Sequence, residues 1–179
     1  MENFDNLEDL LIRIQREVTS KENEACDKIQ NIKIESFVKL KPFLDARSEY
    51  LKSLPEKERV NFWKTVFENC KIFKNSEETD EKTNLDFISD FNCYYSQDKT
   101  KLIVEFCLTE NKYLENDFIR SELNLKSRKC KTTELQLKEE GTLPENLFFD
   151  FFVMKLNEYE VFECFNEIYL NAGYYFLLI

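Results

Sequence analysis

Apolar residues recur at helical spacing through the first fifty positions of the chain. A first set follows alternating steps of three and four residues, as in the seam of a coiled coil: Phe4, Leu7, Leu11, Ile14, Val18 and Ala25. Lys21 and Lys28 interrupt this stripe, and it resumes in a new phase from Phe37 onwards. The change of phase predicts either two helices or one helix with a stutter. The capping-box spacing of Thr19 and Glu22 would suit the start of a second helix.

A continuous helix over residues 4–54 would be about 75 Å long at about 1.5 Å per residue. Pro42 lies inside the pattern, and we expect it either to kink the helix or to be tolerated there. A helix of this length must bury its apolar stripe, so we expect a homodimer; the alternative is a helix folded back on the rest of the chain. The candidate dimer interface consists of Leu11, Ile14, Val18, Ala25, Ile29, Ile32, Phe37, Leu40, Leu44 and Leu51.

The remaining chain changes from helical to alternating periodicity and back. Ser53-Leu54-Pro55-Glu56 has the cap, proline and acid that end one helix and start the next, which we expect to run through residues 61–73. After a polar loop at 74–84, four alternating runs predict an antiparallel sheet: residues 85–95, 101–108, 121–126 and 132–138. From Gly141 the pattern is helical again, so the fold class is α+β, with a dimerisation segment at 1–54 and a second domain at 55–179.

Aromatic residues are concentrated in the C-terminal quarter. Two helical segments are expected there, over 146–156 and 158–170. The run Phe148, Phe149, Phe151 and Phe152 is interpreted as core, and Tyr174, Tyr175 and Phe176 are expected to pack onto the sheet.

Composition excludes many catalytic classes. The chain has no histidine, which removes histidine-based nucleophile pairs, acid–base relays and metal ligands. Its two glycines are isolated and cannot form a phosphate-binding loop. The six cysteines include no C-x-x-C pair, and we expect them to be free thiols in a reducing compartment. No catalytic residue, metal site or cofactor is therefore predicted.

The charge is strongly negative and unevenly distributed. The net charge is −10, but residues 84–138 are neutral, with nine acids and nine bases. Residues 139–179 carry eight acids and one base, Lys155. Such a chain should repel nucleic acid and attract basic partners. The acidic start MENFDNLEDLL is unlike a secretory signal, and no apolar run is long enough for a membrane span. The basic cluster 126–131 is interpreted as a solvated strand end rather than a nuclear-import patch.

Four segments, taken in order, resemble the SET/nucleosome assembly protein family of histone chaperones. KLKPFLDARSEYLKSLP followed by NFWKTVF resembles the end of the family's long dimerisation helix and the Ile-Pro-Asn-Phe-Trp run after it. ENKYLENDFIRSELNL is similar to its Asn-Pro-Tyr-Phe-Glu-Asn element, ENLFFDFF to its Ser-Phe-Phe-x-Trp-Phe helix, and NEIYLNAGYYFLL to its closing segment.

The resemblance implies a homodimer held by the long helix, with an α+β "earmuff" domain that binds core histones through an acidic surface. The acids of the C-terminal quarter are then the candidate histone-binding residues: Glu139, Glu140, Asp150, Glu158, Glu160, Glu163 and Glu167. Asp86, Asp90 and Glu105 on the predicted sheet are an alternative location for this site. The resemblance also implies a nuclear protein that shuttles with the cytoplasm and acts as an accessory to a histone-modifying enzyme or as a phosphatase inhibitor.

Two other classes of function remain open. A coiled-coil adaptor would have the same fold but bind a non-histone partner without strong histone binding. A carboxylate-based hydrolase would use paired acids such as Glu77/Glu78 or Glu139/Glu140, although both pairs lie in polar, loop-like stretches. Salt-sensitive binding to basic protein separates the chaperone from the adaptor.

Overall fold

The computed structural model describes residues 4–70, 85–138, 147–153 and 159–178. The predicted loop 74–84 and the segment around Gly141 lie outside these residues. The chain divides into two units, Met1–Pro42 and Phe43–Ile179. The predicted boundary lies at residue 54, whereas residues 43–53 group with the second unit.

A single helix, α1, runs from Phe4 to Ser53 and includes Pro42. No second helix starts at Thr19, whose hydroxyl instead accepts a hydrogen bond from Gln15 Nε2 (3.5 Å). The break predicted at residues 53–56 is confirmed, because α2 runs from Glu56 to Asn69. Pro55, rather than Ser53, is its N-cap; the Ser53 hydroxyl donates back to the Tyr50 carbonyl (2.6 Å).

The two apolar phases of the sequence are two faces of α1. At about 100° per residue, one set falls within an arc of about 60°: Leu7, Leu11, Ile14, Val18, Ala25, Ile29 and Ile32. These side chains are exposed. Of the new phase, Phe37, Leu44 and Leu51 are centred about 90° away on the helix, and each is at most 7% exposed within a single copy of the chain. Their burial assigns these three to the interior of the chain and leaves the first set, with Leu40, at the surface.

The sheet is antiparallel, with strand order β1-β2-β3-β4. The strands are β1 (Ile88–Tyr95), β2 (Lys101–Leu108), β3 (Phe118–Asn124) and β4 (Cys130–Thr132). β3 starts earlier than predicted, and it ends at Asn124 because the Asn124 side chain accepts the amides of Lys126 and Ser127 and starts a turn. The predicted strand at 132–138 is mostly irregular, with one bridge between Leu137 and Leu114.

Three further helices follow the sheet: α3 (Leu147–Val153), α4 (Tyr159–Leu170) and α5 (Ala172–Leu177). They enclose an aromatic core between sheet and helices. Phe91 of β1 stacks on Phe106 of β2 at 4.7 Å between ring centroids. Helix α2 contributes Phe67 against both rings, and α4 contributes Phe165. The four phenylalanines of α3 are buried, as predicted.

The C-terminal end of α1 is fixed to α4 by polar contacts. Arg47 Nη1 donates to the Tyr169 carbonyl (2.7 Å), and the guanidinium stacks over the Tyr169 ring at 4.6 Å. The Ser48 and Tyr169 hydroxyls are 3.3 Å apart. Burial lowers the pKa of Arg47, while the Tyr169 and Asp90 side chains partly offset that effect. These contacts position α4, and with it Glu160, Glu163 and Glu167, within the second unit.

Candidate functional site

Helix α4 presents three of the predicted acids on one face. Glu160, Glu163 and Glu167 fall within an arc of about 60° at about 100° per residue. The opposite face carries the side chains that anchor the helix in the core: Phe162, Phe165, Asn166, Ile168 and Tyr169. Glu160 and Glu167 are exposed, and Glu163 is half-buried. Acids spaced three and four residues apart, with apolar residues between them, thus produce an amphipathic helix whose outer face is negative.

Among the described residues, no salt bridge reaches the exposed acids of this face. Residues 159–178 contain no lysine or arginine. Within the described residues, no basic side chain lies at salt-bridge distance from Glu160 or Glu167. Glu167 Oε1 accepts one hydrogen bond, from the Tyr175 hydroxyl (3.3 Å). The carboxylates therefore keep their charge available for a partner.

The negative field also acts on neighbouring side chains. Burial raises the pKa of the Cys164 thiol, and Glu167, Cys70, Glu160 and Glu163 raise it further. The pKa of Tyr175 rises to about 12 through burial and the nearby Cys70 and Glu167. Burial and Glu163 likewise raise the pKa of Cys93. Thiols whose pKa is raised in this way carry less thiolate at neutral pH and are poorer nucleophiles.

The other predicted acids of this quarter are less informative. Asp150 is half-buried on α3. Glu139, Glu140 and Glu158 lie outside the described residues, as does the Glu77/Glu78 pair. The structure therefore brings together Glu160, Glu163 and Glu167 among the seven predicted binding residues.

The acids on the outer face of the sheet are paired. Arg120 Nη1 contacts Glu105 Oε1 at 2.9 Å, and Arg120 Nη2 contacts Glu122 Oε1 at 2.7 Å. Lys101 Nζ donates to Glu122 Oε2 (2.6 Å), and the Tyr94 hydroxyl donates to Glu105 (2.9 Å). The hydrogen bond from Lys101 and the charge of Arg120 lower the pKa of Glu122. This network joins cross-strand neighbours, because Glu105 is registered opposite Arg120.

The Asp90 carboxylate also has hydrogen-bond partners within the sheet. Its carboxylate accepts the Phe91 amide at 2.9 Å and lies 3.5 Å from the Asn92 side-chain amide. Asp86 is exposed next to β1. The alternative acidic site on the sheet thus offers fewer available carboxylates than its sequence suggests.

The basic cluster lies where the chain turns from β3 to β4. Lys126, Arg128, Lys129 and Lys131 are exposed. The Arg128 guanidinium stacks over the ring of Tyr159, the first residue of α4, at 3.9 Å. The cluster is therefore a solvated hairpin tip, as predicted, and it contacts the start of α4 through one arginine.

Several exposed apolar residues were not among the predicted site residues. Phe43 and Tyr50 on α1 are 74% and 67% exposed, and they are spaced one heptad apart at the same phase as Ile29. Counting steps of seven forward from Ile29, through Ser36, would have found them. Tyr174 and Leu177 on α5 are 64% and 72% exposed, so the expectation that Tyr174 packs onto the sheet is wrong; Phe176 packs instead on Phe62 of α2 (4.9 Å).

Within the described residues, no group of three or more metal-ligating side chains is placed to hold an ion. All six cysteines are free thiols. None of the described helices combines the length and the apolar character that crossing a bilayer requires.

Comparison with known proteins identifies the architecture. No family model matches the sequence, and no curated protein matches it significantly. Among solved structures, nucleosome assembly protein S from Plasmodium falciparum superposes with a TM-score of 0.58, at 18% identity over 98% of this chain and 100% of that one. The chain has the nucleosome assembly protein fold.

Two more structures agree. Nucleosome assembly protein 1 from Plasmodium knowlesi has a TM-score of 0.57, with 17% identity and 100% of both chains covered. A nucleosome assembly protein from Plasmodium falciparum has a TM-score of 0.56, with 20% identity over 98% of each chain. The resemblance carried by the four sequence segments is thus confirmed at the level of the nucleosome assembly protein fold, from the long helix to the final helices.

Proposed function

We propose that this protein is a histone chaperone of the SET/NAP type that binds core histones through the exposed face of α4. The observation that carries the proposal is the fold shared with nucleosome assembly proteins over nearly the whole chain. It is supported by the carboxylates of Glu160 and Glu167, which no basic side chain of the described residues neutralises. The proposed role is non-enzymatic and nuclear, with shuttling to the cytoplasm.

The physical mechanism is competition for positive charge. Histones are rich in lysine and arginine, and they bind DNA through its phosphates. A chaperone presenting a negative surface steers histones to itself and keeps them from premature contact with DNA. Single exposed ion pairs contribute little, so the surface must act as a set and gains from being doubled.

We further propose that α1 doubles the surface by forming a homodimer. The support is the exposed stripe on α1, which comprises Leu7, Leu11, Ile14, Val18, Ala25, Ile29 and Ile32. A stripe of this length at heptad spacing is typical of a helix that pairs with another helix. The same stripe supports the second candidate function, an adaptor that offers α1 to a non-histone partner such as a histone-modifying enzyme or a phosphatase.

One experiment separates the two functions. The purified chain is titrated with each of the two core-histone pairs by fluorescence at low and high salt, and its mass is measured by light scattering. A dimer whose tight histone binding weakens with salt supports the chaperone. A dimer that does not bind histones at either salt concentration would contradict it and favour the adaptor.

A further inference from the structure

Helix α5 exposes apolar side chains next to the acidic face of α4. Tyr174 and Leu177, three residues apart, lie on its outward face, and Leu178 follows at 42% exposed. Exposed aromatic and aliphatic residues side by side mark contact surfaces more often than isolated ones do.

Polar and aromatic contacts hold α5 in place. Asn69 Nδ2 at the end of α2 donates to the carbonyls of Tyr175 (2.8 Å) and Leu178 (2.9 Å). Phe176 packs against Phe62, and Ala172 is fully buried. The apolar side chains are therefore presented on a fixed backbone, which lowers the ordering cost of a contact.

The same surface carries the exposed carboxylates of Glu160 and Glu167, and Arg128 of the hairpin tip lies at its edge, over Tyr159. The Tyr175 hydroxyl bonds to Glu167 and so links α5 to the acidic face of α4. Glu160 lies about two helical turns before Glu167 on the same helix. Residues 159–178 contain no lysine or arginine. We call this surface the C-terminal patch and define it by Glu160, Glu163, Glu167, Tyr174 and Leu177.

We propose that the C-terminal patch binds an amphipathic basic helix, one that pairs lysine or arginine with leucine-like side chains, rather than an extended basic tail. The proposal rests on the proposed function and names the part of the histone that this site recognises: a helix of its folded region. Charge complementarity selects a basic partner, and the apolar residues of α5 match a helix with anchors at positions i, i+3, i+4 and i+7. An extended tail of lysine and small residues would contact the carboxylates alone.

The test uses two synthetic peptides of about 20 residues, a length that spans several helical turns. Both carry the same number of lysines. One has leucines at i, i+3, i+4 and i+7, and the other has serines at those positions. Binding of each labelled peptide to the full chain is measured by fluorescence anisotropy at about 0.05 M and about 0.3 M salt, which brackets the range where surface charge is screened.

The variant Tyr174→Ser/Leu177→Ser removes the apolar part of the patch and keeps its carboxylates. A matched control, Phe118→Ser/Leu137→Ser, alters two other exposed apolar residues of the second unit, 42% and 50% exposed. Thermal unfolding midpoints of both variants verify that they are folded. Because all four side chains are at the surface, we expect both variants to fold.

We expect the leucine peptide to bind the unmodified chain about tenfold more tightly than the serine peptide. This difference in affinity should be clearest at the higher salt concentration, where charge is screened and apolar contact persists. Tyr174→Ser/Leu177→Ser should abolish that difference, and the control should preserve it. Equal binding of the two peptides, or a difference that survives Tyr174→Ser/Leu177→Ser, overturns the inference.

A parallel titration with the folded core-histone pairs separates this inference from the proposed function. If the histone pairs bind in a salt-sensitive manner while the leucine pattern has no effect, the inference fails alone. If neither peptide nor histone pair binds, the proposed function fails and this inference fails with it.

Discussion

The outer face of the sheet and the outer face of α4 are both rich in glutamate, yet they differ as surfaces. On the sheet, Glu105 and Glu122 are held by Arg120 and Lys101 in one cross-strand network. On α4, Glu160 and Glu167 have no basic partner among the described residues. The comparison shows that the pairing of acids, rather than their number, decides where a chain of net charge −10 presents a negative field.

Neutralising the α4 face should produce the largest change in binding. Glu160→Gln/Glu163→Gln/Glu167→Gln is expected to lower the affinity for a core-histone pair about tenfold at low salt, since each exposed pair contributes about 0.2–1 kcal/mol. The affinity is measured by fluorescence titration. The control Glu110→Gln/Glu115→Gln/Glu134→Gln removes the same charge from exposed positions elsewhere. Equal losses in the two variants would show that net charge, not the α4 face, governs binding.

Breaking the proposed dimer should reduce the number of α4 faces per particle without altering either surface. Ile14→Asp/Ile32→Asp places charges in the exposed stripe of α1, and we expect light scattering to give half the mass. The apparent histone affinity should fall about fivefold through lost bivalency. Asn23→Asp/Asn31→Asp, on the same helix but away from the stripe, serves as the control. A mass that Ile14→Asp/Ile32→Asp leaves unchanged would refute the interface.

Removing Lys101 and Arg120 should make the outer face of the sheet resemble that of α4, with glutamates that have no basic partner. Lys101→Gln/Arg120→Gln leaves Glu105 and Glu122 without their ion-pair partners. We expect histone affinity to rise about two- to threefold, a change typical of one or two exposed charges. Lys126→Gln/Lys129→Gln changes the net charge equally at the hairpin tip. A gain of the same size in both variants would remove the distinction between the two surfaces.

The smallest effect concerns stability in acid. The hydrogen bond from Lys101 lowers the pKa of Glu122 in the folded chain. Its contribution is therefore present above the ordinary glutamate pKa of about 4.3 and is lost as pH falls through the lower folded value. Urea unfolding should show a shallower loss of stability below about pH 4.3 for Glu122→Gln than for the unmodified chain. Indistinguishable profiles would mean that the network does not stabilise the ionised form.

Much of the fold could be predicted because it depends on local pattern. The alternation at 85–95 and 101–108 predicts β1 and β2, and the proline at 55 marks the break between α1 and α2. The C-terminal end of β3 could not be predicted in this way. The alternating pattern continues to Leu125, but the Asn124 side chain already forms a turn. A side-chain hydrogen bond of this kind has no periodicity to detect.

The long helix shows why a pattern can be correct and its interpretation incomplete. The shift of phase at Phe37 suggested a break or a stutter, but one helix with two apolar faces produces the same sequence. A seam that binds a second copy and a stripe that packs within the chain are indistinguishable by spacing alone. Only the burial of Leu44 and Leu51 in a single copy separates them.

The sequence predicts which segment carries the candidate site, but not which of its side chains form the exposed surface. The sequence places eight acids after residue 138, and spacing puts Glu160, Glu163 and Glu167 on one helical face. It does not reveal that Arg120 and Lys101 neutralise Glu105 and Glu122, because the Arg120–Glu105 and Lys101–Glu122 pairs join residues of different strands. It also does not reveal that Tyr174 and Leu177 face outward, since an apolar helix end is equally typical of a core.

The most direct test of the central claim is to identify which glutamates contact histone lysines. A zero-length carbodiimide reagent joins a carboxylate to an amine only when the two are in contact, and mass spectrometry of the digested complex then identifies both residues. We expect amide cross-links from Glu160 and Glu167 to histone lysines, and none from Glu105 or Glu122 to histone; Glu122 can react only with Lys101 of its own chain, 2.6 Å away. Cross-links to histone lysines at Glu105 or Glu122 in place of Glu160 and Glu167 would contradict the proposed binding face.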